Sequence, residues 1–262
     1  MTDDRAIIPQ RDMSPDDELW TDLRRLTAAR IGLKRTGASL ATGPLLEFQL
    51  AHARARDAVR EPLDEKRLIA DIAGLGQPVL AVASAAPDRQ HYLMRPDLGR
   101  ILGRDNKAAL GPHASGHDVV FVISDGLSAR AVQTHAAPVL AAMLPALRAQ
   151  GLRIAPLVIV RHGRVAVGDA VALELRADCA VVLIGERPGL SAPDSMGAYL
   201  TWKPGAETTD ADRNCVSNIR PEGIGYADAA FKLKHLIGAM RARGLSGVRL
   251  KDDSDRLLLG EK

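Results

Sequence analysis

The sequence predicts an α/β protein: a Rossmann-like, mostly parallel sheet flanked by helices and preceded by a helical N-terminal segment. Three observations carry this. Val119-Val120-Phe121-Val122-Ile123 is a near-continuous, largely β-branched run, the pattern of a strand covered on both faces. Two further apolar runs, Ile154 to Val160 and Ala180 to Ile184, are separated by stretches of helical character, and strand–helix–strand order implies a parallel sheet with right-handed crossovers. Before about residue 77 the spacing is helical instead, which divides the chain into a helical segment, 1–76, and a sheet domain, 77–262.

Taken in order, Ser14-Pro15-Asp16-Asp17 reads as a helix start, with a capping hydroxyl, proline in the first turn and acids at the positive helix end. Leu19, Leu23, Leu26 and Arg30 follow at helical spacing, and Gly32 is the expected stop. Leu33 to Ser39 is basic and turn-rich. A second helix is expected from Pro44 to Arg60, closed by Pro62, and a third from Asp64 to Ala73. Val79 to Ala83 is the first short strand. After the Val119 strand, Leu127 to Leu147 reads as a helix interrupted near Pro138, and Tyr226 to Arg243 as the last helix.

Composition narrows the function classes. The 262 residues are long enough to bury a substantial core. With 35 basic residues nearly balanced by 32 acids and only 3% aromatics, the chain offers neither a basic stripe nor stacking platforms for nucleic acid. Its richest apolar stretches are too short to span a bilayer, and Met1 to Gln10 lacks an apolar signal region, so a cytoplasmic setting is expected. Cys179 and Cys215 are the only cysteines, too few for a disulfide framework or a closed zinc site.

In parallel sheets ligands bind beyond the carboxyl ends of the strands. That rule selects Ser124-Asp125-Gly126-Leu127-Ser128 and Gly185-Glu186-Arg187-Pro188-Gly189. Ser124 and Asp125 serve there either as ligand contacts or as caps of the following helix. Gly74-Leu75-Gly76 precedes a strand instead of following one, so it is no dinucleotide fingerprint, and a Walker loop is lacking. His113 and His117 lie in a Gly/Pro-broken loop without a thiolate or carboxylate set beside them. Residue chemistry alone thus reaches a polar ligand site at strand ends and leaves the ligand open.

Longer motifs say more. Leu183-Ile184-Gly185-Glu186-Arg187-Pro188-Gly189-Leu190-Ser191-Ala192-Pro193-Asp194-Ser195-Met196-Gly197-Ala198-Tyr199-Leu200 and Asp212-Arg213-Asn214-Cys215-Val216-Ser217-Asn218-Ile219 resemble the small (light) subunit of ethanolamine ammonia-lyase. So do Phe48 to Val59, Arg95-Pro96-Asp97-Leu98-Gly99-Arg100 and Ser124 to Ala129, in the family's order. The resemblance implies a subunit of an adenosylcobalamin-dependent enzyme that converts ethanolamine to acetaldehyde and ammonia by a radical rearrangement. A TIM-barrel large subunit is then the partner and carries the catalytic groups, and this chain covers the cofactor from its other side. Six large and six small subunits, and a cytoplasmic location with a bacterial microcompartment as the alternative, belong to the same implication.

Three positions match the family's cofactor-contacting pattern: Val165 in Gly163-Arg164-Val165-Ala166, Glu186, and Cys215. Ser124, Asp125, Arg187, Pro188 and Ser217, in or beside the same loops, are secondary candidates. A corrin is apolar across its face and fringed with amides, so Val165 suits the face and Glu186 the amide N–H groups. An Asp-x-His-x-x-Gly motif is absent, which implies base-on cobalamin, with none of the seven histidines needed on cobalt. Two other readings stand beside this one: a stand-alone Rossmann-type enzyme acting on a nucleotide or small amide, and an interaction subunit without a ligand.

Overall fold

The computed structural model describes residues 15–254, which divide into two compact units between Ala53 and Arg54. In the first, α1 (Pro15–Arg25) stops well before Gly32. The chain then folds back, with Arg24 Nε donating to the Ile31 carbonyl at 3.0 Å and Gly32, at φ +55°, packed against the Trp20 ring. Ser14, the expected cap, lies outside the described residues. The basic turn becomes a hairpin of β1 (Arg35–Thr36) and β2 (Ser39–Leu40), with Gly37 at φ +62° in the turn where a side chain would be strained. Helix α2 (Thr42–Arg60) begins here, and Leu46 and Leu50 on it stay more than half exposed.

The second unit opens with α3 (Glu65–Ala73), whose first turn is capped by Asp64 accepting from the Arg67 amide. A six-stranded sheet follows, built from β3 (Val79–Ala83), β4 (His117–Ser124), β5 (Leu157–Arg161), β6 (Ala177–Gly185), β7 (Met196–Trp202) and β8 (Arg213–Ile219). Its order is β3-β5-β4-β6-β7-β8. The first four strands in that order pair parallel, but β7 and β8 are added antiparallel, so the sheet is mixed where a mostly parallel one is expected. Physically, β6 and β7 are joined by a short loop, and a short loop returns the chain antiparallel.

The strand alternation divides the core into two layers. Val119, Phe121 and Ile123 of β4 face α3, α6 (Ala129–Ala149) and α8 (Tyr226–Arg243), whereas Val120 and Val122 face α7 (Val167–Leu175) and the end of α5 (Arg104–Leu110). All five residues are fully buried, which is why the run reads as unbroken hydrophobicity. Helix α6 passes through Pro138 without the expected interruption. Ten buried side chains along it anchor it to the sheet and α8, and that packing outweighs the proline's missing amide.

At the carboxyl edge, two strand ends meet through glycines. Gly126 adopts φ +53°, and the Leu127 amide donates to the Gly185 carbonyl at 2.9 Å. A Cβ on Gly185 would come within 2.0 Å of the Ser128 carbonyl oxygen. Because the obstacle is backbone, Gly185→Ala is expected to cost at least about 1–3 kcal/mol of unfolding free energy. Urea denaturation measures it, and a midpoint equal to the parent's would show that the two loops are free to separate.

Candidate functional site

The helix after β4 covers one face of the sheet and the helix after β5 covers the other, so the chain diverges between two adjacent parallel strands. Such a divergence leaves a crevice at the carboxyl ends. Here it is framed by the turn after β4, the turn after β5 and the loop after β6.

Ser124 and Asp125 build the floor of this frame. The Ser124 hydroxyl donates to the Val160 carbonyl at 2.8 Å and accepts from the Gly163 amide at 3.1 Å. Asp125, 2% exposed, accepts from the His162 amide at 2.7 Å and from Arg89 Nη1 at 3.2 Å. Arg89 also donates to the carbonyls of Gly126 and Val59. Neither residue caps α6, whose N-cap position is Ser128. They fasten the β5 turn to the β4 end, and neither lines a cavity.

Above this floor lie two adjoining cavities, of about 400 and 230 Å³. Arg164, Val165 and Tyr199 line both. Cys215, Arg100 and Arg213 add to the larger one; Glu186, Arg187 and Tyr92 add to the smaller. The three principal sequence candidates, Val165, Glu186 and Cys215, are therefore brought together although they come from three separate segments. Of the secondary candidates, Arg187 lines a cavity, whereas Pro188 and the exposed Ser217 line neither.

Local structure fixes each group. Glu186 follows β6 directly; its carboxylate accepts from the Ser195 hydroxyl and, at 3.2 Å, from the Asn218 amide. That amide is aimed by an irregularity in the β7–β8 pairing, where the single residue Gly197 of β7 lies opposite both Ser217 and Asn218 of β8, and Asn218 takes φ +57°. Cys215 pairs directly with Tyr199 across the same two strands. Burial pushes the Cys215 thiol pKa up; the hydrogen bond with Tyr199 opposes this, and the nearby Glu186 charge reinforces it. A raised pKa leaves a neutral thiol at pH 7, suited to contact and not to nucleophilic attack. Burial likewise drives the Tyr92 phenol up to about 12.

Several site residues escape sequence reasoning. Arg213 is 9% exposed and clasps Asp169 through two bonds of 2.7 Å, with Thr201 accepting a third at 2.9 Å. Burial works against its charge, but the Asp169 hydrogen bonds and charge prevail and raise its pKa. Arg164 stacks over the Tyr92 ring at 4.3 Å, and Arg89 lies 4.9 Å from the same ring centre. Tyr199 completes the set. Tyr199 and Arg213 sit inside the motifs that carry the family resemblance, and Arg164 directly precedes the candidate Val165, so their positions were visible and their roles were not.

The Arg213–Asp169 clasp ties β8 to α7 beneath the larger cavity. Removing one partner strands the other's charge in the protein interior, so Asp169→Ala is expected to lower stability by about 3–5 kcal/mol. Chemical denaturation of the variant tests this, and a loss below about 1 kcal/mol would show that water already reaches the pair.

Comparison with known proteins identifies the family. The sequence model of the family described as ethanolamine ammonia-lyase light chain matches residues 17–251. A protein of Ralstonia nicotianae named ethanolamine ammonia-lyase small subunit is 50% identical, over 99% of this chain and 96% of its own length. Relatives of the same name from Pseudomonas fluorescens and Azotobacter vinelandii are 52% and 50% identical, covering 90% and 93% of this chain and 87% and 92% of their own. With near-complete coverage at such identity, the chain belongs to the ethanolamine ammonia-lyase small-subunit (light-chain) family.

Proposed function

We propose that this chain is the small subunit of an adenosylcobalamin-dependent ethanolamine ammonia-lyase and that it holds the cofactor against the large subunit. The observation that carries the reading is the convergence of Val165, Glu186 and Cys215, the positions matched to the family's cofactor contacts, on two adjoining cavities. In this reading the Rossmann-like character of the fold is the four-stranded parallel part, whose divergent strand ends cradle the ligand.

The residues fit a corrinoid in kind. Val165, Tyr199 and Cys215 give apolar contact, the Glu186 carboxylate accepts, and Arg100 and Arg164 donate. The Tyr92 hydroxyl is buried without a hydrogen-bond partner among the described residues. Cavities of about 400 and 230 Å³ hold only the edge of so large a molecule, which suits a cofactor shared between two subunits. Bound cobalamin, base-on, supplies cobalt–carbon bond homolysis; this chain's part is to orient the corrin's edge and shield it from water. Arg187 belongs to the same wall, and Ser124 and Asp125 act through the turn they fix.

The partner is the large subunit, in an assembly of six large and six small subunits. Residues 1–76 are the partner-contacting segment, and 77–262 the cobalamin-binding domain. On α2, Leu46 at 58% and Leu50 at 53% exposure supply apolar surface for that contact. Among the described residues no helix is long and apolar enough to cross a membrane. The proposed setting is the cytoplasm or a bacterial microcompartment.

The test is ethanolamine-dependent acetaldehyde formation with added adenosylcobalamin, comparing this chain alone, the large subunit alone and the two co-expressed. Activity is expected only from the co-expressed pair; turnover by this chain alone would overturn the reading. In the pair, Glu186→Ala is expected to weaken cobalamin binding about tenfold, the loss of one charge-assisted hydrogen bond. Unchanged affinity in a spectroscopic titration would remove Glu186 from the site.

A further inference from the structure

The loop that carries Glu186 is fastened from several sides. Its ends meet where the Glu186 amide donates to the Ser195 carbonyl at 2.9 Å, and within it the Gly189 amide donates to the Ala192 carbonyl at 2.9 Å. Three consecutive residues then reach in different directions. The Pro193 carbonyl accepts from the Ser128 hydroxyl at 3.0 Å, the Ser195 hydroxyl donates to the Glu186 carboxylate, and Asp194 between them faces His135. Ser128 occupies the N-cap position of α6, and His135 lies two turns further along the same face. The helix therefore meets the loop at two points, and only the first is a completed hydrogen bond.

His135 is 1% exposed. Its Nδ1 lies 2.9 Å from the Tyr226 hydroxyl at the start of α8, and its Nε2 is buried without a hydrogen-bond partner among the described residues. An oxygen of the partly exposed Asp194 carboxylate stands 3.8 Å from that nitrogen. Glu222, the other acid near the ring, is taken by Arg220 at 3.6 Å. Burial lowers the His135 pKa against the pull of the Asp194 charge, so the ring is neutral at pH 7 and carries one proton. The carboxylate selects its place: with the proton on Nε2 the ring attracts Asp194, whereas a bare lone pair there would repel it. The Tyr226 hydroxyl then donates to Nδ1, and burial together with the Asp194 and Glu222 charges raises its pKa and keeps that proton on the phenol.

We propose that His135 is the positioning residue of Glu186: its Nε2–H draws Asp194 toward α6, and the loop so drawn sets the Ser195 hydroxyl where it holds the Glu186 carboxylate. At 3.8 Å the pull is that of a charge on a dipole and not of a closed hydrogen bond, and the low dielectric around a buried ring strengthens it. His135 lines neither cavity, so it acts only through the loop. The inference rests on the cobalamin reading above.

The test is a double-mutant cycle on cobalamin affinity, read by spectroscopic titration of adenosylcobalamin into the assembled complex with the large subunit. His135→Phe keeps a ring in the space but has no N–H, and it is expected to weaken binding about fivefold, less than Glu186→Ala does. His135→Gln, whose amide N–H reaches the place of Nε2, is expected to bind within about twofold of the parent. In a Glu186→Ala background His135→Phe is expected to change nothing further, because the carboxylate it positions is gone. Parental affinity in His135→Phe would overturn the assignment. So would a loss that His135→Gln shares in full, or one that persists undiminished without Glu186, since either marks His135 as packing alone. If His135→Phe fails to fold, Asp194→Ala removes the same attraction from the partly exposed side and is expected to give a loss of the same size; parental affinity there would equally overturn the assignment. Unchanged affinity in Glu186→Ala itself would instead take Glu186 out of the site, and this inference with it, whereas the other failures leave the cofactor reading standing.

Discussion

Asp125 is the group on which the carboxyl edge of the sheet depends. A carboxylate at 2% exposure is costly unless its oxygens are occupied, and here a backbone amide and an arginine occupy them. The amide belongs to His162, at φ +57°, a left-handed conformation that needs such an anchor. The arginine belongs to α4 (Arg89–Met94) and also reaches the Val59 carbonyl near the end of α2. One buried side chain thereby sets the mutual position of three segments. Arg164 and Val165 follow two and three residues after His162, so their place in the cavities is inherited from this bond.

A second constraint acts from the antiparallel side. Strand β8 is largely polar, and only Arg213, Val216 and Ile219 of its seven residues are buried. Apolar burial alone holds such an edge weakly. The clasp of Arg213 on Asp169 binds it to α7, and the Asn218 amide binds it to Glu186. Both bonds lie where the cavities need support: one beneath the Cys215 wall, the other behind the Glu186 loop. The mixed sheet is therefore more than a variation in topology. A parallel strand after β6 would require a long crossover, whereas the antiparallel return brings Tyr199 and Cys215 back to face Val165.

What was legible in the sequence follows from the range of the interactions concerned. Val79 to Ala83 and Tyr226 to Arg243 are found at the bounds that periodicity predicts, because apolar burial on a regular element leaves a local trace. Strand β7 was not foreseen: Met196-Gly197-Ala198 has no β-branched residue, and its strand character comes from pairing with β6. In β8 the irregular pairing at Asn218 breaks the alternation that would announce a strand. The roles of Asp125, Asp169 and Arg164 depend on partners 36 to 72 positions away, such as Tyr92 for Arg164 and Arg89 for Asp125, and spacing rules carry no information at that range. Val165, Glu186 and Cys215 came from family resemblance, and nothing in their local chemistry sets them apart.

The site's donors are organised and yet unspent. Arg164 is held by stacking, and the Tyr92 hydroxyl by complete burial. A buried hydroxyl without a partner lowers stability by about 1–3 kcal/mol. Such groups persist when they serve a partner outside the fold, since side chains already ordered lose little further entropy on binding. A chain whose best-fixed polar groups lack acceptors, and whose cavities hold only part of a large ligand, has the properties of half a binding site. On the proposed reading the complementary half comes from the large subunit, and cofactor binding and subunit assembly would then form one coupled equilibrium.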